Sequence, residues 1–189
     1  MVSFPPYLPS LRWYSLWLDA LNNKAKEPVA IETASFSVGP RNYARAILND
    51  FRGGSQVISI PIEGGSRLLR NPLNLEDAVL SEHGNWRKNH LRALEALYGK
   101  SPFYDHLASA LTEIYLDRSL VALKDFNVAI HRLLTRFLIS NLRPGDFNLL
   151  LRNPVIKLRG KEMSVGMDME TSIIGPLMKY GPETILALI

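Results

Sequence analysis

His90 is the side chain in this sequence whose type and position best suit acid–base chemistry. It lies in a run in which Trp86, His90, Leu94 and Tyr98 recur every four residues, so a helix would place all four along one stripe. An imidazole on such a stripe can exchange a proton near neutral pH and act as a general acid or base. The same position also suits a core histidine whose ring is held by a neighbour, so both roles stay open.

Other reaction centres have less support from residue spacing. The four histidines, His83, His90, His106 and His131, do not form a metal-ligand pattern such as a pair four residues apart with a third ligand. We therefore predict no metal. The sequence contains no G-x-S-x-G nucleophile elbow. The glycine-rich loop at 63–67 lacks the closing Lys-Ser/Thr of a phosphate-binding loop.

Two further polar residues are candidates for ligand contacts. Glu32 follows a predicted strand at 29–31, and open α/β sheets place ligand contacts just past strand ends; the alternative is a solvent-facing strand terminus. Asn127 shares the apolar stripe of a predicted helix, where an amide must find hydrogen-bond partners. It either ties down a backbone group or a helix end, or it contacts a ligand.

The composition limits the classes of protein and partner. The chain has 189 residues, 47% of them hydrophobic, a formal net charge of +4 and no cysteine, which excludes a disulfide scaffold and a cysteine nucleophile. We predict solvated helix faces, and no nucleic-acid partner, from the scattered basic residues. Their densest groups are Arg87-Lys88 with Arg92, and Arg132 with Arg136. No apolar stretch suggests a membrane span, and the absence of a signal-peptide pattern favours a cytoplasmic location.

Capping residues, glycines, prolines and the periodicity of apolar residues predict the helices and strands that would position these side chains. Asn85 and Gly99 mark the ends of a helix at 86–98, and Ser101-Pro102 reads as the N-cap and first residue of the next. Pro182 belongs to a terminal turn or short helix after 180. The predicted helices are 11–22 (capped by Ser10), 86–98, 102–116, 119–139 and 171–180, the last interrupted by Gly175-Pro176. The predicted strands are 29–31, 56–62, 147–151 and 155–158, with 43–51 either strand or helix and a hairpin turn at 52–55.

Several segments resemble the WbqC-like protein family. Pro5-Pro6-Tyr7-Leu8-Pro9 is similar to the family's Q-P-x-Y-x-P-W opening, and the run from Trp86 to Phe103 to its W…H…Y…P-Y-F helix. Leu123-x₃-Asn127 resembles its later L-x-x-x-N helix, and Gly181-Pro182-Glu183 its C-terminal G-P-E. These matches occur in order over nearly the whole chain.

The resemblance implies a fold and a general role. Members occur with genes for O-antigen and other surface-polysaccharide biosynthesis, and glycine or acyl transfer to sugars has been suggested for them. We therefore expect a compact single α/β domain over 1–189, with a strand-rich N-terminal half containing a Rossmann-like sheet, a helical middle, and short C-terminal strands and a helix. The expected partner is a small-molecule or nucleotide-sugar-type ligand. No cofactor and no oligomeric state are indicated.

In this interpretation a pocket forms near Tyr7, Glu32, Arg45 and His90. His90 would be the catalytic acid or base, Tyr7 and Glu32 would orient the substrate, Arg45 would bind an anionic group, and Asn127 is a further substrate-binding candidate.

Departures from the family pattern favour an alternative. The opening glutamine of the family motif is Phe4 here, the residue after its proline is Pro6, and its tryptophan is Ser10. Near the C-terminus, Gly175 stands where the family has an aspartate. The family's acidic pair appears only as Glu32-Thr33, and a tyrosine-leucine-serine-glycine segment is missing. The alternative is a catalytically degenerate member that acts as a ligand- or protein-binding module.

Overall fold

The protein has a mixed architecture of helices and strands. The computed structural model describes residues 5–14, 17, 43–65, 77–140 and 171–186. The predicted strands at 29–31, 147–151 and 155–158 lie outside these ranges, as does most of the predicted helix at 11–22, of which 11–14 and 17 are helical. The elements are β1 (Arg45–Asn49), β2 (Ser55–Ser59), α1 (Trp86–Tyr98), α2 (Tyr104–Leu116), α3 (Leu123–Ser140) and α4 (Ile174–Leu186).

The strands β1 and β2 form an antiparallel hairpin, with Arg45 opposite Ser59 and Asn49 opposite Ser55. The Asp50 carboxylate shapes the turn, because its Oδ1 accepts hydrogen bonds from the backbone N–H groups of Arg52 and Gly54, each at 2.8 Å. The predicted hairpin turn is therefore confirmed, and the ambiguous segment before it is a strand.

The prediction of a strand-rich, Rossmann-like half is not supported by the described residues. Parallel strands need a crossover connection of a dozen or more residues, whereas the short turn after Asp50 returns the chain locally and makes an antiparallel pair. Two isolated antiparallel bridges, Ile62 with Leu80 and Val79 with Ala122, continue backbone pairing beyond β2.

The helices in the middle of the chain follow the predicted pattern, with adjusted ends. Helix α1 has the predicted bounds, although Asn85 occupies the N-cap position in a left-handed conformation (φ 48°) without a side-chain cap. Helix α2 begins at Tyr104, two residues later than predicted. Helix α4 begins at Ile174, so Gly175-Pro176 lie in its first turn and do not interrupt it, while the break predicted after 180 is present as a kink at Gly181, where φ is 79°.

The N-terminal segment is held against the residues that precede α4. The carbonyl of Pro9 accepts a hydrogen bond from Ile173 N–H (2.9 Å), and the carbonyl of Thr171 accepts one from Leu11 N–H (3.2 Å). Ser172 N–H donates to the Ile47 carbonyl of β1 (2.8 Å). These contacts fix the chain around Tyr7 between the hairpin and the helices, at the core of the protein.

Candidate functional site

Three buried side chains form the centre of the candidate site. The Tyr7 hydroxyl lies 2.8 Å from Nδ1 of His90, and the hydroxyls of Tyr7 and Tyr115 are hydrogen-bonded to each other. These residues come from the N-terminal segment, α1 and α2, respectively. Tyr7 and His90, two of the residues expected near one pocket, are therefore in direct contact, while the pocket itself remains a prediction. Tyr115 was not predicted as part of the site, because its only sequence signal was an apolar helix spacing.

The backbone of Ser59 bears on which ring nitrogen of His90 carries the proton. Burial lowers the pKa of His90, and a hydrogen bond to the Ser59 backbone, which acts against it, has the effect of a carbonyl acceptor. With Nδ1 paired with Tyr7, this contact favours a proton on Nε2. Nδ1 is then an acceptor for the Tyr7 hydroxyl, and the Tyr7 oxygen accepts from Tyr115. Every donor in this chain of hydrogen bonds has one acceptor.

Burial controls the ionisation of this centre. Tyr7, His90 and Tyr115 are 1%, 6% and 0% exposed. Removal from water disfavours the charged forms, so it lowers the pKa of His90 from 6.5 to about 4 and raises the pKa values of Tyr7 and Tyr115 above the usual 10. All three groups are therefore neutral at pH 7.

Aromatic rings enclose the hydrogen-bonded groups. Trp86 contacts His90 edge-to-face with ring centroids 5.2 Å apart, and its indole N–H donates to the Ser81 carbonyl at 2.8 Å. Phe126 of α3 lies against Trp86 and Tyr115 at centroid distances of 5.5 and 5.3 Å. This enclosure strengthens each hydrogen bond of the centre and increases the cost of leaving any of its polar atoms unpaired.

Asn127 supports the backbone next to the centre. Its Nδ2 donates to the carbonyl oxygens of Pro5 (3.1 Å) and Tyr43 (2.8 Å), and the residue is 0% exposed. Of the two roles predicted for this amide, the observed contacts are those of a residue that ties down backbone groups. Its role as a substrate-binding residue is not tested by these contacts. Oδ1 has no hydrogen-bond partner among the described residues.

The other predicted site residues are less closely connected to His90. Arg45 is exposed at the start of β1, opposite Ser59, whose backbone contacts the imidazole. Glu32 lies outside the described residues, so its expected convergence with Tyr7 and His90 remains a prediction.

Arg87 corrects the interpretation of the basic residues. It is 2% exposed and donates to the carbonyls of Tyr115, Asp117 and Leu120 at 3.0–3.1 Å, while its Nη2 lies 2.9 Å from Glu82 Oε1. The prediction of a solvated side chain was wrong for Arg87, because a guanidinium can satisfy several carbonyls at the end of another helix at once. The remaining basic residues of those groups are exposed: Lys88, Arg92, Arg132 and Arg136.

The departure at Gly175 has a steric explanation. A Cβ atom at this position would lie 2.6 Å from the Tyr98 hydroxyl oxygen, which donates to the Asn49 carbonyl at 2.8 Å. An aspartate here is therefore incompatible with the observed position of Tyr98.

A second tyrosine–histidine pair joins the N-terminal segment to α3. The Tyr14 hydroxyl is 2.9 Å from Nδ1 of His131, and Trp13 and Trp17 contact the His131 ring edge-to-face at 5.2 and 4.8 Å. Burial lowers the pKa of His131 to about 4, as it does for His90. The two pairs provide matched positions for experiments.

The described part of the chain contains no group of three or more His, Cys, Asp or Glu side chains arranged to bind a metal ion. Within the same residues, none of the helices has the length and apolar character needed to cross a membrane.

A model of the WbqC-like protein family matches residues 5–143. The match covers more than half of the 189 residues, so the chain belongs to this family, and the resemblance seen in the sequence is confirmed. The matched range contains Tyr7, His90, Tyr115 and Asn127. Comparisons with curated proteins and with solved structures give no match.

Proposed function

We propose that the protein is a transferase-like protein of surface-polysaccharide biosynthesis, of the O-antigen type, that transfers an acyl or aminoacyl group to a sugar. Membership of the WbqC-like family supports the biosynthetic setting. The observation that carries the catalytic role is the 2.8 Å hydrogen bond between the Tyr7 hydroxyl and His90 Nδ1. We propose a single domain over residues 1–189, a cytoplasmic location and a nucleotide-sugar-type or other small-molecule ligand.

The proposed reaction begins with attack by a sugar hydroxyl or amine on the carbonyl carbon of an acyl donor. An ester or amide bond forms, the bond to the leaving group breaks, and the proton of the attacking group must be removed and delivered to the leaving group. Neutral His90 can take up a proton at Nδ1 from Tyr7 while the Tyr7 oxygen accepts the proton of the attacking group. Reversal of these two transfers delivers a proton from Tyr7 to the leaving group and returns the proton of His90 to Tyr7.

The remaining predicted residues would bind and orient the substrate. Arg45 is exposed near Ser59 and would bind an anionic group of the donor. Glu32 would orient the sugar. Asn127 is retained as a substrate-binding candidate only through its unpaired Oδ1, which can accept a hydrogen bond from a ligand.

The test is a thermal-shift screen against nucleotide sugars, amino acids and acyl carriers, followed by a transfer assay with the ligands that bind. Tyr7→Phe should reduce transfer by about 10²-fold or more, the usual range for loss of an acid–base group. Tyr14→Phe is the matched control, since it removes one hydroxyl from the other tyrosine–histidine pair. Equal activity of the two variants would exclude the Tyr7 hydroxyl from the proton transfer.

A second candidate is a non-catalytic ligand- or protein-binding module. It is favoured by the occupancy of both His90 ring nitrogens and by the burial of all three central side chains. In this case the screen would find a ligand, but no combination of a nucleotide sugar with an amino acid or acyl carrier would yield a transfer product. Tyr7→Phe would then change only the stability of the protein.

A further inference from the structure

The environment of Asn127 determines the orientation of its amide. Both of its partners, the carbonyls of Pro5 and Tyr43, are acceptors, so the group facing them must be the NH₂. This orientation leaves Oδ1 buried without a partner among the described residues. The two hydrogen bonds from the NH₂ group therefore come at the cost of one buried oxygen, Oδ1, without a hydrogen bond.

These two carbonyls belong to the segments that contain the candidate binding residues. Pro5 lies two residues before Tyr7, and Tyr43 lies two residues before Arg45. The two segments are far apart in sequence, and Asn127 holds both of them from α3. One side chain therefore fixes the N-terminal segment relative to the start of the hairpin.

The backbone at Tyr7 is also constrained on its other side. Leu8 has a φ of 40°, which a leucine rarely adopts, and it is buried. The Pro9 carbonyl beyond it accepts a hydrogen bond from Ile173 N–H at 2.9 Å. Backbone strain of this kind persists only where the surrounding structure holds it. Tyr7 thus lies between two fixed carbonyls.

We infer that Asn127 is a positioning residue, which places the Tyr7 hydroxyl on Nδ1 of His90 by holding the Pro5 carbonyl, and which sets the start of β1 by holding the Tyr43 carbonyl. This inference rests on the proposed function in one respect: the proposed function is what makes Tyr7 and His90 the pair whose position matters. It assigns Asn127 to act through Tyr7 and Arg45, in addition to or in place of direct contact with a ligand.

The test compares both histidines by NMR titration in the full-length protein. In Asn127→Ala, loosening of the N-terminal segment should expose the imidazole and raise the pKa of His90 from about 4 toward 6.5, with loss of the fixed Nε2–H tautomer. His131, whose pKa is also about 4, is paired with Tyr14 further from the Pro5 carbonyl and should change less than His90. Leu138→Ala, at a buried position three turns further along α3, is the control for a general loss of stability and should change neither histidine.

If Asn127→Ala does not fold, Asn127→Ser retains one donor and should give a smaller change in the same direction. A larger change at His90 than at His131 supports the positioning role. No change, an equal change at both histidines, or the same change in Leu138→Ala overturns it. The titration needs no substrate, so its failure is distinguishable from failure of the proposed transfer, which the comparison of Tyr7→Phe with Tyr14→Phe tests separately.

Discussion

The Tyr7 hydroxyl is hydrogen-bonded to Nδ1 of His90 at 2.8 Å, although the two residues are 83 positions apart in the chain. This contact joins the N-terminal segment to α1 inside an aromatic enclosure. Because both side chains are buried, any change to either alters stability as well as chemistry. Experiments on this pair must therefore separate the two effects.

The three-residue chain of hydrogen bonds predicts strong coupling between its tyrosines. Tyr7→Phe removes the partner of both His90 Nδ1 and the Tyr115 hydroxyl, and should lower the free energy of unfolding by about 1–3 kcal/mol. Tyr115→Phe should cost less, since Tyr7 keeps its bond to His90. In the double variant no unpaired Tyr115 hydroxyl remains, so its cost should be smaller than the sum of the single costs.

Urea unfolding of the four proteins measures this cycle. Tyr14→Phe with Thr112→Val, two positions with no shared contact among the hydrogen bonds described, provides an additive reference. Additive costs for Tyr7→Phe and Tyr115→Phe would show that their hydroxyls do not interact in solution.

The lowered pKa of His90 predicts a loss of stability in acid. The unfolded chain binds a proton near pH 6.5 and the folded chain only near pH 4, so the unfolded state binds more protons between these values. The contribution is fully present above about pH 6.5 and is lost as the pH falls toward 4. It amounts to about 3 kcal/mol over the whole interval.

The measurement is the free energy of unfolding at several pH values across this interval. His90→Gln should reduce the slope, whatever its effect at neutral pH. His131→Gln removes the other histidine whose pKa is lowered and reports its separate contribution. If His90→Gln leaves the slope unchanged, His90 has an ordinary pKa in the folded protein.

How far the sequence predicted the fold depends on the range of the interactions involved. Helix α1 was located because its apolar stripe is a local signal, although Asn85 makes no side-chain cap and Gly99 has a right-handed, not a left-handed, conformation. The hairpin was predicted for the same reason, from Gly53-Gly54 and the alternation that follows. The break at Gly181 was predicted from Gly181-Pro182-Glu183, which are also local signals. The interruption predicted at Gly175-Pro176 is absent, because these residues lie in the first turn of α4, where a proline is tolerated.

The candidate site was predicted only in part for a related reason. Tyr7 and His90 were found through the family pattern. Tyr115 and Arg87 were missed because their roles arise from contacts across 28 to 108 positions in the chain, which periodicity within one helix does not encode. Asn127 was recognised as unusual because a polar residue interrupted an apolar stripe, but its carbonyl partners are visible only in the folded chain.

Arg87 is predicted to be a major contributor to stability. Arg87→Met leaves the carbonyls of Tyr115, Asp117 and Leu120 without their buried donor, and should cost about 2–4 kcal/mol. Glu82→Gln should cost less than about 1 kcal/mol, since Glu82 is half exposed and the carbonyl contacts remain. Arg92→Met, at an exposed position of the same helix, should be within about 0.5 kcal/mol of the natural protein. Thermal or urea unfolding distinguishes these values, and a small effect of Arg87→Met would mean that water replaces the guanidinium at the end of α2.

The kink in α4 requires glycine at position 181 for two independent reasons. Its φ of 79° and ψ of 169° are essentially restricted to glycine, and a Cβ atom would lie 2.5 Å from Cζ of Phe103. Gly181→Ala should therefore cost about 3 kcal/mol or more. Gly65→Ala is the comparison: its φ is 78°, but nothing lies within 4 Å of the added atom, so the cost should be only about 1–2 kcal/mol.

Replacement of the neighbouring ring separates the two contributions at Gly181. In a Phe103→Leu background the collision is reduced while the backbone strain stays, so Gly181→Ala should cost less there than in the natural protein, yet still no less than Gly65→Ala. Urea unfolding of the four proteins gives the coupling between the two positions. If the cost of Gly181→Ala is the same in both backgrounds, the contact with Phe103 does not limit this position, and the backbone conformation alone requires glycine there.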